Sequence, residues 1–564
     1  MRSVVIVCCF TVILHSVFSD GGNSRPHIIL IIADDVGWND FSFHGSNQIP
    51  TPNIDALGYN GVILDRFYTQ AICTPSRAAL LTGIYPMRYG YQGIPLSCGE
   101  ERPLRSDIEL LPQKLKKLGY KTHLVGKWHL GAARKNETPT ERGFDSHFGY
   151  WNGFIGYYDY FAYQNMERDW QIKGFWSGLD LHDGLKPIWD YQGKYATDVF
   201  TEKSLEIIEN HNKSEPLFLY LGHLAGHTGA YGTELGVPNI TVTDEKFYYI
   251  DDPMRRRYAD IVYQLDKSVG KVVAKLRDKS MLENSIVVFL SDNGAQTVGL
   301  YQNYGSNYPL KGLKFTLLEG GIRGSAVLFS PLLKNKSYIN KHLMHITDLH
   351  STLIYVAGGN PLERQIDGIN QWHSISDNTP SLRTEILLNI DDINKFSGII
   401  GNNGRYKYLR GSYNNGEYDG SYGDSGRSKN SPPYNITEVL SSDVNLAIQG
   451  LQNSIELTKE KINLLRNKLD ISQCNGRTRI KDTSCLDECV FDLWNDPCET
   501  ENLIKKKPLK KLYLSTKLNK YIKEMVPSLN KKIDLSSNPI NCNNTWYPWL
   551  DSDGCFTNNS HVLY

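Results

Sequence analysis

The chain has 564 residues, of which 61 are basic and 61 are acidic. This balance of charge excludes a protein that binds nucleic acid through a globally basic surface. With 40% hydrophobic residues, 34 tyrosines and 48 glycines, the composition also excludes a mostly disordered or collagen-like chain. At roughly 100–200 residues per domain, the length predicts about three domains, or one large domain with an appendage.

The N-terminus predicts a signal peptide that covers residues 1–19. Arg2 precedes an apolar run over residues 4–18, which is shorter than the about 20 apolar residues of a membrane-spanning helix. Val17 and Ser19 suit a cleavage site. The alternative is an uncleaved signal anchor. Since no later segment is long and apolar enough, we expect no membrane span and a protein of the secretory pathway, either secreted or lysosomal.

Cysteines and glycosylation sequons favour the same compartment. Two of the ten cysteines lie in the signal peptide, and six lie beyond residue 470, which predicts a disulfide-stapled C-terminal region in an oxidising compartment. These six are Cys474, Cys485, Cys489, Cys498, Cys542 and Cys555. The sequons predict N-glycosylation at Asn136, Asn212, Asn239, Asn335, Asn435, Asn543 and Asn558.

Apolar runs alternate with helical patterns through the first 360 residues. The predicted strands are residues 27–32, 121–125, 217–221 and 286–290. One predicted helix begins at Thr51-Pro52, and two more cover residues 108–118 and 257–276. This alternation predicts an α/β fold with a mostly parallel sheet flanked by helices.

The pattern changes after residue 400. Residues 401–434 are rich in Gly, Asn, Ser and Tyr, which predicts an exposed loop. Residues 446–469 place apolar side chains on one helical stripe and predict an amphipathic helix. We interpret it as a surface helix packed on the body of the protein, and a lid or a partner-binding helix is the alternative.

Acidic residues follow two of the predicted strands directly. Asp34 and Asp35 come after the first strand, and Asp292 and Asn293 come after the last. In open parallel sheets, ligands bind beyond the carboxyl ends of strands. Three carboxylates and an amide oxygen suit Ca²⁺ or Mg²⁺, whereas zinc prefers His and Cys. The alternative is that these acids only cap the helices that follow.

The segment Cys73-Thr74-Pro75-Ser76-Arg77 opens a predicted helix that ends at Thr82-Gly83. A cysteine at a helix start lies in a positive field, although a buried thiol or half of a disulfide is the plain alternative. The pattern resembles the signature of the sulfatase family. The resemblance implies that a formylglycine-generating enzyme oxidises Cys73 to formylglycine during secretion.

Further blocks of that family occur in the same order. They are Gly126-Lys127-Trp128-His129-Leu130-Gly131, residues 216–221 with His227, Asp292-Asn293-Gly294, Lys314, Glu319-Gly320-Gly321-Ile322-Arg323 and Phe491-Asp492-Leu493-Trp494-Asn495-Asp496-Pro497. The resemblance covers residues 26–503 and is nearest to animal arylsulfatase B-like chains. It implies an alkaline-phosphatase-like catalytic domain over residues 24–359. A smaller C-terminal α+β domain over residues 360–564 would carry the loop, the helical insertion and the disulfide-rich tail.

The resemblance also implies a role for each residue of the site. One Ca²⁺ per subunit is expected on Asp34, Asp35, Cys73, Asp292 and Asn293. The cation would act with Arg77, Lys127 and Lys314 to stabilise the negative charge of a sulfate monoester. One hydroxyl of the hydrated aldehyde would attack sulfur. His227 with Lys314 would protonate the leaving oxygen, and His129 would deprotonate the second hydroxyl to release sulfate.

Two features depart from the family or remain open. If Cys73 is modified, seven cysteines remain beyond the signal peptide, so at least one is unpaired or pairs between chains. Cys98 lies near the position of a half-cystine that arylsulfatase B-like chains bond to their tail, which implies Cys542 or Cys555 as its partner. The residues around His227, and the long insertion over 439–469, differ from the family pattern where specificity for the leaving group can change.

An aromatic stretch bears on the substrate. Residues 147–163 contain nine aromatic side chains, which either pack against the sheet or form a stacking wall for a sugar or aryl group. We expect a sulfated sugar, such as N-acetylgalactosamine 4-sulfate, or a small sulfated metabolite, such as an aryl sulfate or a glucosinolate. The alternatives are a phosphodiesterase or phosphonate hydrolase of the same fold, and an inactive binding homologue.

Overall fold

A computed structural model describes residues 25–229, 234–362, 365–477, 485–551 and 555. The predicted signal peptide and the sequon at Asn558 lie outside these residues. In the described residues the strands are β1 His27–Ala33, β2 Val62–Leu64, β3 Phe67–Tyr68, β4 Lys121–Lys127, β5 Ser146–Tyr150, β6 Phe161–Asn165, β7 Phe175–Leu179, β8 His182–Asp183, β9 Lys186–Pro187, β10 Leu217–Gly222, β11 Ser285–Ser291, β12 Ala326–Phe329, β13 Tyr338–Asn340, β14 Met344–His345, β15 Ile386–Asp391, β16 Phe396–Gly401, β17 Tyr406–Arg410 and β18 Glu488–Asp492.

The α-helices of the same residues include the helices predicted to begin at Pro52 and Cys73, and helices that overlap the predicted ranges 108–118 and 257–276. They are α1 Pro52–Asn60, α2 Cys73–Thr82, α3 Leu111–Lys117, α4 Glu167–Trp170, α5 Ala196–Asn210, α6 Ile240–Lys246, α7 Pro253–Asp278, α8 Glu319–Ile322, α9 Ile346–Val356, α10 Trp372–Asp377, α11 Ile436–Leu440, α12 Asp443–Ile448, α13 Lys459–Leu469 and α14 Pro508–Lys523. Across the described part of the chain, no helix combines the length and the apolar composition needed to cross a bilayer.

A ten-stranded mixed sheet forms the centre of the protein, in the order β13-β2-β12-β11-β1-β10-β4-β5-β8-β9. The five strands from β11 to β5 run parallel, and Ile29 of β1 lies opposite Leu219 of β10 and Val287 of β11. Strand β1 is a continuous apolar run because both of its faces are buried. The predicted α/β fold with a mostly parallel sheet is therefore confirmed.

Helices cover both faces of this sheet and form two cores. Ile29 and Ile31 of β1 point into one core, which α1, α5 and α7 complete. Ile28 and Leu30 point into the other, where α2, α3 and α9 pack. Two covered faces leave the edge at the carboxyl ends of the strands as the place where polar side chains gather.

A four-stranded antiparallel sheet, β15-β16-β17-β18, forms the smaller C-terminal unit. One face packs against Ile72 and Cys73, and the other packs against Leu514 and Leu518 of α14. The exposed loop predicted over residues 401–434 is therefore wrong at β17. The side chains of β17 alternate between the two buried faces of the sheet. The Gly- and Asn-rich sequence around this strand obscures the apolar signal that would have predicted it.

The amphipathic helix predicted over residues 446–469 is wrong as a single element. The segment forms α12 and α13, which residues 449–458 separate, and Gly450 within that gap has a φ of 82°, which favours glycine. Ile448, Ile462 and Leu465 are buried in the core that contains α1 and α7. The expected packing on the body of the protein is confirmed.

Disulfides staple the C-terminal region as predicted. The pairs are Cys474–Cys498, Cys485–Cys489 and Cys542–Cys555. The expected bond between Cys98 and Cys542 or Cys555 is wrong, because those two bond to each other and Cys98 is a free, buried thiol. The tail does reach the Cys98 loop, where Glu100 pairs with Ile533, but its cysteines lie farther along the chain.

Candidate active site

Four neighbouring parallel strands bring the predicted residues to one edge of the sheet. Asp34 and Asp35 follow β1, Asp292 follows β11, Lys127 ends β4 and His227 lies five residues after β10. Their order in the sheet is β11-β1-β10-β4. Groups that are more than 250 residues apart in sequence are thereby in contact, and the backbone N–H of Asp35 is 3.3 Å from Oδ1 of Asp292.

Three buried carboxylates form a group that could hold a metal ion. Asp34, Asp35 and Asp292 each offer an oxygen within 4.8 Å of the others. Oδ1 of Asp34 and Oδ1 of Asn293 are buried without a hydrogen-bond partner, while the amide nitrogen of Asn293 donates to Asp35 at 2.6 Å. Buried oxygens that lack donors are costly unless a cation satisfies them. This all-oxygen donor set fits Ca²⁺ or Mg²⁺.

Each carboxylate of the group also has a cationic neighbour. Lys127 Nζ lies 2.6 Å from Asp34, Lys314 Nζ lies 2.6 Å from Asp35, and a guanidinium nitrogen of Arg77 lies 2.8 Å from Asp292. These side chains are buried. A negatively charged substrate that entered here would meet a preorganised set of positive charges.

The charges shift the pKa of two of the acids in opposite directions. Burial by itself raises the pKa of Asp35, but Lys314 and His227 oppose it and bring the value to about 2. Burial and the neighbouring Asp34 raise the pKa of Asp292 to about 6, although Arg77 opposes the change. The site therefore holds unequal carboxyl groups within one cluster.

Cys73 is the first residue of α2 and is 2% exposed. Burial raises the pKa of its thiol, against the effect of Lys127 and Lys314, so an unmodified Cys73 is a neutral thiol rather than a thiolate nucleophile. Ser76, one turn along the helix, donates to the carbonyl of Asp292 at 2.5 Å. This bond fixes the start of α2 against the end of β11.

His129 is held in one tautomer by the backbone of a distant loop. Its Nε2 lies 2.9 Å from the carbonyl of Leu96, which can only accept, so Nε2 carries the hydrogen. Nδ1 is buried and has no hydrogen-bond partner. Burial and Lys127 lower the pKa of His129 well below its ordinary value. A neutral imidazole with an available lone pair on Nδ1 can act as a base.

His227 is held from two sides. Its Nδ1 lies 2.7 Å from the carbonyl of Thr228, which directs Nε2 toward Asp35 at 3.5 Å. The ring of Phe154 stacks on the imidazole at 5.0 Å with an interplanar angle of 16°. Burial lowers the pKa of His227 to about 3, so the imidazole is neutral in the free protein.

A cavity of about 100 Å³ joins these groups to the surface. Cys73, His129, His227 and Lys314 line it, whereas Lys127 lies behind Asp34 and is not part of its wall. Part of the aromatic stretch over residues 147–163 packs internally, but Phe154 and Tyr163 line the cavity. The expected packing against the sheet therefore holds for part of the stretch, and a stacking wall for a ligand stays a prediction for Phe154 and Tyr163.

The family model for Sulfatase matches residues 26–359, a segment that contains every charged residue and histidine of this site. The chain belongs to the sulfatase family. Solved structures are similar in fold: the crystal structure of Ps i-CgsB in complex with k-i-k-neocarrahexaose has a TM-score of 0.67 at 24% identity and covers 90% of this chain and 94% of that one. The crystal structure of PsFucS1 sulfatase from Pseudoalteromonas sp. has a TM-score of 0.63 at 22% identity, and the match covers 91% of this chain and 92% of that one.

Animal sulfatases are also similar to this chain. It is 41% identical to Arylsulfatase J of Mus musculus over 375 residues, which are 66% of this chain and 59% of that protein. It is 32% identical to N-acetylgalactosamine-6-sulfatase of Homo sapiens over 366 residues, which are 62% and 66% of the two chains. The predicted family is confirmed, and the arylsulfatase B-like assignment is an approximate description of these relatives.

Asp180 lies next to the segment that forms part of the cavity wall, and the sequence did not single it out. It is buried between β7 and β8 and accepts hydrogen bonds from the backbone of Trp151 at 3.2 Å and of Asn152 at 2.9 Å. Those residues precede Gly153 and Phe154, which line the cavity. Burial raises the pKa of Asp180 to about 7. Its one sequence signal, an acid within an apolar run, is too common to be diagnostic.

We expect Asp180→Asn to change the pH dependence of stability. Between about pH 3.9, the pKa of an unfolded aspartate, and about pH 7, the folded wild type keeps a proton that the unfolded chain has lost. This group therefore makes wild-type stability fall as the pH rises through that window. The free energy of unfolding of wild type minus that of the variant should fall from about pH 4 to 7 and then level off. Denaturant titrations across this range measure it, and a constant difference would contradict the assignment.

Proposed function

We propose that this protein hydrolyses sulfate monoesters with a formylglycine formed from Cys73 and a divalent cation, Ca²⁺, held by Asp34, Asp35, Asp292 and Asn293. The observation that carries the proposal is a cavity lined by Cys73, His129, His227 and Lys314. It lies next to a buried carboxylate group that pairs with Lys314, Lys127 and Arg77. Membership of the sulfatase family supports it, as do relatives named arylsulfatase and N-acetylgalactosamine-6-sulfatase.

The chain supplies charge and fixed geometry around the reacting group. A hydrated formylglycine supplies two hydroxyls on one carbon, one for attack on sulfur and one whose deprotonation releases sulfate. A bound cation supplies Lewis-acid polarisation of oxygen. Arg77, Lys127 and Lys314 then neutralise the charge of the sulfate oxygens. Because these three side chains are already fixed by Asp292, Asp34 and Asp35, little reorganisation is needed when substrate binds.

The two histidines act in different steps of the reaction, one as a base and one as an acid. Nδ1 of His129 accepts the proton of the second hydroxyl of formylglycine. Nε2 cannot accept it, because Nε2 donates its own hydrogen to the carbonyl of Leu96. His227 is neutral in the free protein, so the negative charge of the substrate must raise its pKa before it donates a proton to the leaving oxygen. Lys314 is the second donor, since it is charged and lies in the same wall.

The proposed substrates are a sulfated sugar, such as N-acetylgalactosamine 4- or 6-sulfate, and a small sulfated metabolite, such as an aryl sulfate or a glucosinolate. One relative is named as a 6-sulfatase of N-acetylgalactosamine, so both sugar positions belong in the same test. A phosphodiesterase or phosphonate hydrolase and an inactive homologue are the competing functions. Both histidines and Lys314 line one cavity next to the buried carboxylate group, which argues against an inactive homologue.

Secretion and maturation are part of the proposal. We place the catalytic domain at residues 24–359 and the second domain at 360–564, with a formylglycine-generating enzyme as a transient partner. The asparagines of all six described sequons are exposed, as glycosylation requires. They are Asn136, Asn212, Asn239, Asn335, Asn435 and Asn543. Final location is either extracellular or lysosomal.

The test is turnover by the purified secreted protein of matched sulfate and phosphate esters of the same phenols and sugars. We expect sulfate release that requires Ca²⁺ or Mg²⁺, with phosphate esters turned over at least about 100-fold more slowly. Faster turnover of the phosphate or phosphonate esters would favour the competing hydrolases. Lack of turnover by protein shown to carry formylglycine would favour the inactive homologue.

A further inference from the structure

The outer wall of the active-site cavity is apolar and aromatic. Leu300 at this wall is 59% exposed. The ring centroids of Phe154 and Tyr301 are 5.2 Å apart, and Phe315 and Tyr413 line the same cavity with their rings stacked at 4.9 Å. Flat apolar surfaces of this kind bind the face of a phenol or sugar ring.

The same wall offers little positive charge beyond the sulfate position. Among the described residues that line the cavity, Lys314 is the one lysine or arginine, and it pairs with Asp35. Arg102 lies behind the 94–98 segment, but its buried guanidinium is bonded to Glu100 and to the carbonyl of Ile94.

This distribution of charge constrains the leaving group. A second carboxylate or sulfate on the substrate would lose water against aromatic rings without gaining a cationic partner, and such burial is unfavourable. A neutral ring loses little hydration free energy when it enters the cavity, and it gains apolar contact with the wall. The wall thus selects between substrates that share the scissile sulfate but differ in the rest of the molecule.

We propose that the substrate has an uncharged leaving group, a single phenolic or neutral sugar ring that packs against Phe154 and Tyr301. This inference rests on the proposed sulfatase activity and narrows its substrate class. Sulfated polymers with a uronate or a second sulfate next to the scissile ester are then poor substrates.

The test compares kcat/KM for 4-carbamoylphenyl sulfate and 4-carboxyphenyl sulfate, which are nearly equal in size and differ by one charge. We expect the wild type to prefer the neutral ester by about tenfold or more at low ionic strength. Equal values, or preference for the carboxylate, would overturn the inference while leaving the sulfatase proposal intact. Absence of turnover on both esters and on N-acetylgalactosamine 4- and 6-sulfate would contradict the sulfatase proposal, and the inference with it.

A gain of charge provides the matched control. Gln164 lines the cavity from β6 and its side chain is half-buried, so Gln164→Lys places a cation at the wall and Gln164→Met keeps a neutral side chain of similar length. The preference for the neutral ester should shrink at least about threefold in Gln164→Lys relative to Gln164→Met, with the difference lost at high salt. An equal preference for the neutral ester in the two variants would contradict an electrostatic origin of that preference.

Discussion

We expect the replacement of Cys73 with serine to end sustained hydrolysis of sulfate esters. Serine has one hydroxyl on its side-chain carbon, so it can accept a sulfate group once but offers no second hydroxyl for His129 to deprotonate. We expect at most one turnover and a loss far larger than the about 10²–10⁴-fold that removal of one acid or base causes. Single-turnover and steady-state assays of the purified variant measure it, and sustained turnover by Cys73→Ser would falsify the mechanism.

The same prediction has a covalent signature in the wild type. Active protein should carry formylglycine at position 73, so the peptide that contains it should be about 18 Da lighter than with cysteine. Cys98→Ser is the matched control, because Cys98 is the other free cysteine of the described residues and lines the same cavity. It should retain the modification at position 73 and activity within about tenfold. An intact thiol at position 73 in fully active protein would contradict the assignment.

Changing Asp292 to asparagine should remove the metal and the activity together. Asp292 is one of three carboxylates in the group, and Arg77 is buried against it. Asparagine keeps an oxygen near that guanidinium, whereas alanine would leave a buried charge unpaired and would destabilise the protein by about 3–5 kcal/mol. We expect loss of bound Ca²⁺ and at least about a 100-fold lower kcat/KM, since changes in outer-shell partners already cost about 10–100-fold.

Asp40→Asn is the control for the loss of a buried acid. Asp40 pairs with the buried Arg255 at 2.7 Å and lies outside the carboxylate group. We expect the Asp40→Asn variant to be less stable than the wild type and still to bind one Ca²⁺ per chain. Atomic emission spectroscopy measures the bound Ca²⁺. Equal metal content in the Asp292 variant and the wild type would show that this carboxylate has another role.

The strands and the helix that Cys73 opens could be predicted because their signals are local. The apolar run of β1 predicts a strand buried on both faces without reference to any other segment. The Cys73–Arg77 motif is contiguous, so it can be recognised without knowledge of distant contacts. Acids directly after β1 and β11 predicted a cation site because parallel strands end at a common edge. For these features, chain order and residue type already determine the outcome.

Other features depended on contacts between distant segments. The tautomer of His129 follows from the carbonyl of Leu96, and Asp180 matters only because it meets the backbone before Phe154. The free state of Cys98 depends on which thiols the folded tail brings into bonding distance. A hydrogen bond or a disulfide needs two groups in the same place, and only the tertiary structure decides that. Sequence alone determined which residue types gather at this site, and packing decided the shape of the cavity and which charged groups line it.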